Sequence, residues 1–312
     1  MRTAFVKELE MLMKSEDTYL LTGDLGFSVF ENIRDNYKGR YLNMGVAEQN
    51  MLGVAAGMAI TGRTVFVYSI IPFLIYRPFE QLRNDICYQN LPVRLVGVGA
   101  GFSYSDAGFT HHAIEDYGVL RSLPNLTILS PADPFEVREI MHHLNEIHSP
   151  VYMRLARNGE PVLHSKHNEL KIGKSLRIMK GDDILIVSTG AILSRAMEVA
   201  KYLESNGYSV ELLDYHTIKP FDEQTLVEST LGKKLVVTIE EHLLSSGLSS
   251  IVAQILAKNS IKCRFLHFGI REPYIHMSGT REFMLSLYGL DLTSILEKLK
   301  NELKLSDAIA NR

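Results

Sequence analysis

Short apolar runs alternate with longer segments of helical period along most of the chain. Eight runs rich in Val, Ile, Leu and Tyr predict strands: Thr18–Thr22, Thr64–Tyr68, Val93–Val98, Leu126–Leu129, Ile184–Thr189, Ser209–Leu213, Lys234–Ile239 and Cys263–Phe268. Between them, apolar positions recur at helical spacing over Val46–Ala59, Phe79–Tyr88, Pro134–His148, Ser194–Asn206 and Ser249–Ala257. The opening MRTAFVKELEMLMKSED reads as an amphipathic helix with charges throughout, not as a secretory leader. Strands that look apolar on both faces and alternate with helices indicate parallel sheets covered by helices. The expected fold is therefore α/β, with two domains that are each a mostly parallel sheet covered by helices.

The pattern weakens between Ala156 and Asp183, where Gly, Asn, Lys and His accumulate. This divides the chain into domains at 1–158 and 181–305, joined by a connection at 159–180, with a frayed tail at 306–312. Two domains suit a length of 312 residues.

Composition narrows the class. Hydrophobic residues make up 46% and charged residues 22%, with mean hydropathy +0.01, which excludes wholesale disorder. A net charge of −3 offers no basic footprint for nucleic acid or an anionic membrane. Cys87 and Cys263 stand far apart, so neither a disulfide framework nor a CxxC metal site is available. No apolar run approaches the roughly 20 residues that span a bilayer. The chain reads as cytoplasmic.

Several common motifs are absent: GxxxxGK[ST], GxGxxG opening a helix, HExxH and GxSxG. His142, His143 and His148 crowd one helix, but no carboxylate or Cys completes a ligand set there, and a solvated helix end explains them. His164 and His167 in the connection are likewise expected to be solvated, so no metal site is expected on this chain.

The segment richest in chemistry is RYLNMGVAEQNMLGVAAGMAITG, Arg40–Gly62. A short strand passes through a turn at Gly45 into a helix whose first turn holds Glu48. Gly53, Ala55, Ala56, Gly57 and Ala59 then offer a small-residue helix suited to close backbone approach. Alone, Glu48 is a carboxylate in the first turn, where the helix dipole favours it. Phe73, Tyr76 and Phe79 in YSIIPFLIYRPFEQLRND (Tyr68–Asp85) could be a core-facing stripe or an aromatic pocket. Asp24 in LLTGDLG is compatible with plain turn chemistry. The loop GAGFSYSDAGFTHH, ending at His111 and His112, is long and rich in Gly and Ser for a simple connector.

Taken together and in order, GVAEQNM, YSIIPFLIYRPFEQLRND and SDAGFTHHAIEDYGVLRSLPN resemble the pyrimidine-binding domain of the transketolase family. That family includes deoxyxylulose-phosphate synthase and the β subunits of 2-oxo-acid dehydrogenases. DILIVSTGAILSRAMEVAKYLESNGYSVELLDYHTIKPFD and VVTIEEHLLSSGLSS resemble its C-terminal domain, so the resemblance spans nearly the whole chain.

The resemblance implies thiamine diphosphate as cofactor. Glu48 matches the glutamate that shares a proton with the cofactor's pyrimidine ring. A site where burial and a helix N-terminus oppose one another suits that sharing. Phe73, Tyr76 and Phe79 match the three aromatics around the ring, with Phe73 stacked on it, and Asp24 matches an acidic residue near the thiazolium edge. His111 matches a histidine that handles substrate hydroxyls or protons, and Arg157 an arginine that binds a sugar phosphate. His112 receives no role, and Arg154 is structural.

The departures also carry information. Ala107 stands where transketolases commonly have Asp, and Gly99 where many have a phosphate-binding histidine, which suggests a non-standard acceptor. The family's Gly-Asp-Gly…Asn element, which holds the diphosphate and Mg²⁺, is missing: the chain has GDL at 23–25 and GDD at 181–183. A partner subunit carrying GDG…N is therefore expected, in an α₂β₂ assembly with a β–β contact and the Mg²⁺ ligands on the partner. The implied role is the β subunit of a split transketolase-like enzyme that moves a two-carbon ketol unit from a ketose phosphate to an aldehyde sugar. A 2-oxo-acid dehydrogenase β subunit, a deoxyxylulose-phosphate-synthase-like carboligase and a silent scaffolding subunit are the alternatives.

Overall fold

The computed structural model describes residues 1–15, 17–157, 159–164, 169–271 and 276–310, the last six by backbone alone. His167 lies outside the described residues. The strands are β1 (Thr18–Thr22), β2 (Tyr41–Asn43), β3 (Thr64–Ile70), β4 (Val93–Val98), β5 (Thr127–Leu129) and β6 (Val151–Leu155), followed by β7 (Leu176–Met179), β8 (Ile184–Ser188), β9 (Val210–Asp214), β10 (Thr217–Lys219), β11 (Leu235–Leu243) and β12 (Arg264–Ile270). They form two sheets, ordered β10-β5-β6-β4-β3-β1-β2 and β12-β11-β8-β9-β7. Every pairing is parallel except at one edge of each sheet, where β10 runs antiparallel to β5 and β7 antiparallel to β9. The predicted class is observed.

Helices on both faces explain the unbroken apolar runs: every residue of β4, β8 and β9 is buried. On one face of the first sheet, Phe5 and Leu9 of helix Arg2–Leu12 pack with Val137, Ile140 and Met141 of helix Pro134–His143, over Phe66 and Val96. On the other face, Met51, Leu52, Ala55 and Ala56 of helix Glu48–Ile60 join a core that continues into Leu185, Val187 and Val236 of the second sheet. One core thus binds the two sheets together. Gly53 and Gly57 do not serve the close approach expected of them, since a methyl group on either would meet nothing within 4 Å. The alanines make the packed face.

The interior strand β6 is missing from the predicted set, because Arg154 interrupts its apolar run VYMRL. The observed Arg154 is buried, with Nε 2.9 Å from Asp116 Oδ2, and it also donates to two carbonyls. That pairing is what lets a charge sit in a buried strand. The segment Phe79–Tyr88 is not one α-helix: Phe79–Gln81 is α-helical and Leu82–Cys87 is a π-helical turn. Helices Asp116–Leu120, Glu223–Thr230, Arg281–Leu287 and Leu292–Ala310 also go beyond the sequence reading, and the last runs into the stretch 306–312 read as a tail. β7 lies within the connection.

His164 corrects an expectation. It is 5% exposed and in contact with Asp133, not solvated. His142, His143 and His148 sit toward solvent as expected; His142 contacts Glu8 at 3.2 Å and His143 contacts Glu146 at 3.4 Å.

Candidate active site

The candidate residues follow the C-terminal ends of β1, β2, β3, β4 and β6, which is where ligand crevices form in parallel sheets. β2 ends at Asn43, whose side-chain oxygen accepts the N–H groups of Asp24 and Gly45. Gly45, at φ +73°, makes the turn that starts helix Glu48–Ile60. Glu48 is 2% exposed. Its Oε1 lies 3.4 Å from the Ser69 hydroxyl at the end of β3, and its Oε2 accepts from Arg77 Nη1 at 3.0 Å. Gly23 packs beside this pair: a methyl group there would stand a tight 3.2 Å from the Ser69 hydroxyl and 3.4 Å from Oε1. An open cavity of about 650 Å³ reaches the carboxylate, lined by Val46, Ala47, Gln49, Asn50 and Arg77.

Arg77 is half-exposed, and its guanidinium carbon lies 4.0 Å from the centroid of the Phe73 ring. A planar cationic donor therefore rests on an aromatic face with one edge against a buried carboxylate. The Phe73 ring in turn meets the His111 ring edge-on at 5.1 Å. His111 Nδ1 is 3.0 Å from the Thr110 hydroxyl. Glu48, Phe73 and His111, expected from three separate motifs, are brought into one row, with Arg77 between Glu48 and Phe73 and His111 against the Phe73 ring.

The other predicted residues stand further out. The Tyr76 hydroxyl donates to Glu115 Oε2 at 3.1 Å, and burial, with the Asp116 and Glu115 charges, pushes its pKa up, so it stays a neutral donor. Phe79 is half-buried against the shared core. Asp24 adopts φ +55° and exchanges hydrogen bonds with Asn43, which accounts for it as a turn residue beside Gly23. Arg157 makes no direct contact with the Glu48 group. Its guanidinium lies 4.9 Å over Tyr104 and 3.7 Å from Asp106, and the Tyr104 ring stands 6.4 Å from His111.

Tyr104 explains one departure in the sequence. Gly99 has φ +97°, and a methyl group there would fall 2.3 Å from the Tyr104 ring, so this position accepts no side chain. Tyr104 occupies that space and carries Arg157 on its other contact. At the second departure Ala107 is exposed, while the neighbouring Asp106 pairs with Arg157.

The second sheet holds the loop that presents His111. Glu241 on β11 accepts the Phe102 N–H at 2.7 Å and pairs with Arg281. The Ser105 hydroxyl donates to the Gly279 carbonyl at 2.7 Å, and Gly101 bridges Ala113 within the loop. Ser69, Arg77, Tyr104 and Glu241 were not singled out from the sequence. Arg77 stands in the turn that follows helix Ile71–Ile75, four residues after Phe73, and that turn is what brings its cation over the ring.

Residues 1–160 match the transketolase pyrimidine-binding domain, and residues 173–295 match the transketolase C-terminal domain. This chain belongs to the transketolase family. It is 33% identical to a "Putative transketolase C-terminal section" of Methanocaldococcus jannaschii, over 95% of this chain and 93% of that protein. It is also 33% identical to one of the subunits of an apulose-4-phosphate transketolase from Actinobacillus succinogenes, over 84% of each chain. A solved structure described as "Split gene transketolase, inactive beta4 tetramer" superposes with a TM-score of 0.85 at 34% identity, covering 98% of both chains. The chain is thus the C-terminal section of a transketolase, a transferase component of the β type. Among the described residues no helix is long and apolar enough to cross a membrane.

Proposed function

We propose that this chain, with a partner subunit carrying GDG…N, transfers a two-carbon ketol unit from a ketose phosphate to an aldehyde sugar. Membership of the transketolase family implies dependence on thiamine diphosphate. The observation that carries the reading is the Glu48–Arg77–Phe73 arrangement: a buried carboxylate beside an open cavity holds a flat, cationic N–H donor that lies on an aromatic ring. The same donor and acceptor set suits a protonated ring nitrogen. When bound, the cofactor supplies the carbon nucleophile and the electron sink. Glu48 would hold a proton at the pyrimidine nitrogen, and Phe73, whose face Arg77 occupies here, would offer the aromatic surface for that ring. Tyr76 and Phe79 would bound the ring, and Asp24 would stand near the thiazolium edge. His111 passes protons to substrate oxygens, and Arg157 takes the phosphate.

Mg²⁺ and the diphosphate belong to the partner subunit in this reading, in an α₂β₂ enzyme with a β–β contact. The β-only tetramer described as inactive is a relative consistent with that dependence. Tyr104 in the space beside Gly99, with Asp106 on Arg157, reshapes the acceptor end and supports a non-standard acceptor, as does the apulose-4-phosphate relative. The free thiols Cys87 and Cys263 suit a reducing compartment, and we include the cytoplasm in the proposal.

The test is to co-purify this chain with the GDG…N subunit, titrate thiamine diphosphate, and screen ketose donors against aldehyde acceptors. Glu48→Gln is expected to lower kcat by roughly 10²–10⁴-fold while leaving the melting temperature unchanged. Near-normal turnover in that variant removes Glu48 from the mechanism. Acyl transfer to a lipoyl domain in place of ketol transfer overturns the assignment of reaction.

A further inference from the structure

Where the connection passes between the two sheets, three side chains from separate elements converge. Glu136 comes from helix Pro134–His143, His164 from the connection and Asp214 from the end of β9. They are 0%, 5% and 0% exposed. His164 Nε2 lies 3.5 Å from Asp214 Oδ2 and 3.8 Å from Glu136 Oε1, and one ligand-type atom from each residue falls within 4.8 Å of the others. The two His164 separations are too long for good hydrogen bonds, and the Glu136 and Asp214 carboxyls lie within reach of each other. Glu136 Oε1, His164 Nε2 and both Asp214 oxygens have no hydrogen-bond partner among the described residues. Buried polar atoms are very rarely left so, and their gathering on three converging side chains requires an explanation.

The atoms behind them are already fixed. Glu136 Oε2 accepts the Ala132 N–H at 2.6 Å, which aims Oε1 inward. Asp133 Oδ2 accepts the N–H groups of Leu163 and His164 and lies 3.2 Å from His164 Nδ1, while its Oδ1 caps the helix through Glu136 N. With an ion bound, His164 would keep the Nδ1 proton toward Asp133 and turn the Nε2 lone pair to the metal, the way a carboxylate orients a metal-binding histidine.

We propose that Glu136, His164 and Asp214 hold one divalent transition-metal ion, with Zn²⁺ the best match, which ties the connection to both sheets. Zinc bonds of about 2.0–2.2 Å give ligand–ligand edges of roughly 3.3–3.6 Å, and the two edges from His164 Nε2, at 3.5 and 3.8 Å, lie within a few tenths of an ångström of these. One imidazole nitrogen with two carboxylate oxygens suits Zn²⁺ or Mn²⁺ better than Mg²⁺ or Ca²⁺, which favour oxygen-only shells. Two carboxylates also balance the ion's charge in a buried place. No metal was expected on this chain from its sequence, and this site is separate from the Mg²⁺ assigned to the partner subunit.

The chain is purified without a metal-affinity tag and its metal content read by plasma mass spectrometry. It is then stripped with a chelator and titrated with Zn²⁺ against a chromophoric competitor. The expected result is one Zn²⁺ per chain and a higher melting temperature on reloading. His164→Ala and Asp214→Asn are expected to abolish stoichiometric binding, and Asp133→Asn to weaken it roughly 10–100-fold. Should a variant fail to fold, titration of the unaltered chain decides. Absence of stoichiometric metal there, with no competition for Zn²⁺ or Mn²⁺, overturns the site and leaves a carboxyl pair that shares a proton or holds water. None of these readouts depends on turnover or on Glu48.

Discussion

In the first sheet the strand ends release the chain into loops that border an open cavity, and Glu48 meets that cavity with one hydroxyl at 3.4 Å and one half-exposed arginine as partners. In the second sheet, the acids at the end of β11 turn back into the structure and are fully engaged. Glu240 takes the Tyr117 hydroxyl and the N–H groups of Leu248 and Ser249; Glu241 takes Phe102 N–H and Arg281. The carboxylates are comparably buried, yet their surroundings differ. A saturated buried carboxylate is a strut, whereas an undersupplied one facing a cavity is prepared to receive something.

The largest expected effect tests the strut side. Asp116 holds Arg154 and the Tyr152 hydroxyl in the interior. Asp116→Ala strands the buried guanidinium and is expected to cost about 3–5 kcal/mol in urea unfolding. A loss below about 1 kcal/mol would mean that water or another acid replaces it. Next, Glu241→Ala leaves Phe102 N–H and Arg281 unpaired. It is expected to cost about 1–3 kcal/mol, to speed amide exchange across residues 101–113 and to lower kcat through His111. Lost turnover without faster exchange would show that Glu241 acts otherwise than by holding the loop.

The smallest effect is a pH slope. His242 stacks on Tyr117 at 3.7 Å, accepts the Gly118 N–H through Nε2 and lies 3.8 Å from Asp116, with Arg154 nearby. Burial lowers its pKa to about 4 from an ordinary 6.5. The unfolded chain thus binds more protons than the folded one in that interval. Stability is expected to fall as pH drops from about 6.5 to about 4. His242→Phe keeps the stacking and is expected to flatten this part of the curve; an unchanged slope assigns the acid sensitivity to other groups.

Much of this was legible from the chain. The two sheets followed from apolar runs between helical segments, and the candidates Glu48, Phe73 and His111 from a family resemblance carried by three motifs in order. What escaped has physical causes. β6 hid behind Arg154, whose partner Asp116 lies far back in the sequence; β10 and β7 are too short for a periodicity to develop. His164 looked solvated because its neighbours are polar, and the groups that bury it, Asp133, Glu136 and Asp214, come from elements that meet only in three dimensions. Arg77 was visible but lacked meaning until its guanidinium was seen between a ring and a carboxylate.

The placement of β10 has a consequence for any attempt to divide the molecule. Thr217–Lys219 come from beyond the connection yet close the edge of the first sheet beside β5. A fragment cut in the connection would bare the backbone of β5, a ready template for adhesion to other chains. Each half would also lose its share of the common core. The halves have separate sheets but not separate lives: a recombinant or evolutionary exchange that moves one without the other must supply a substitute edge.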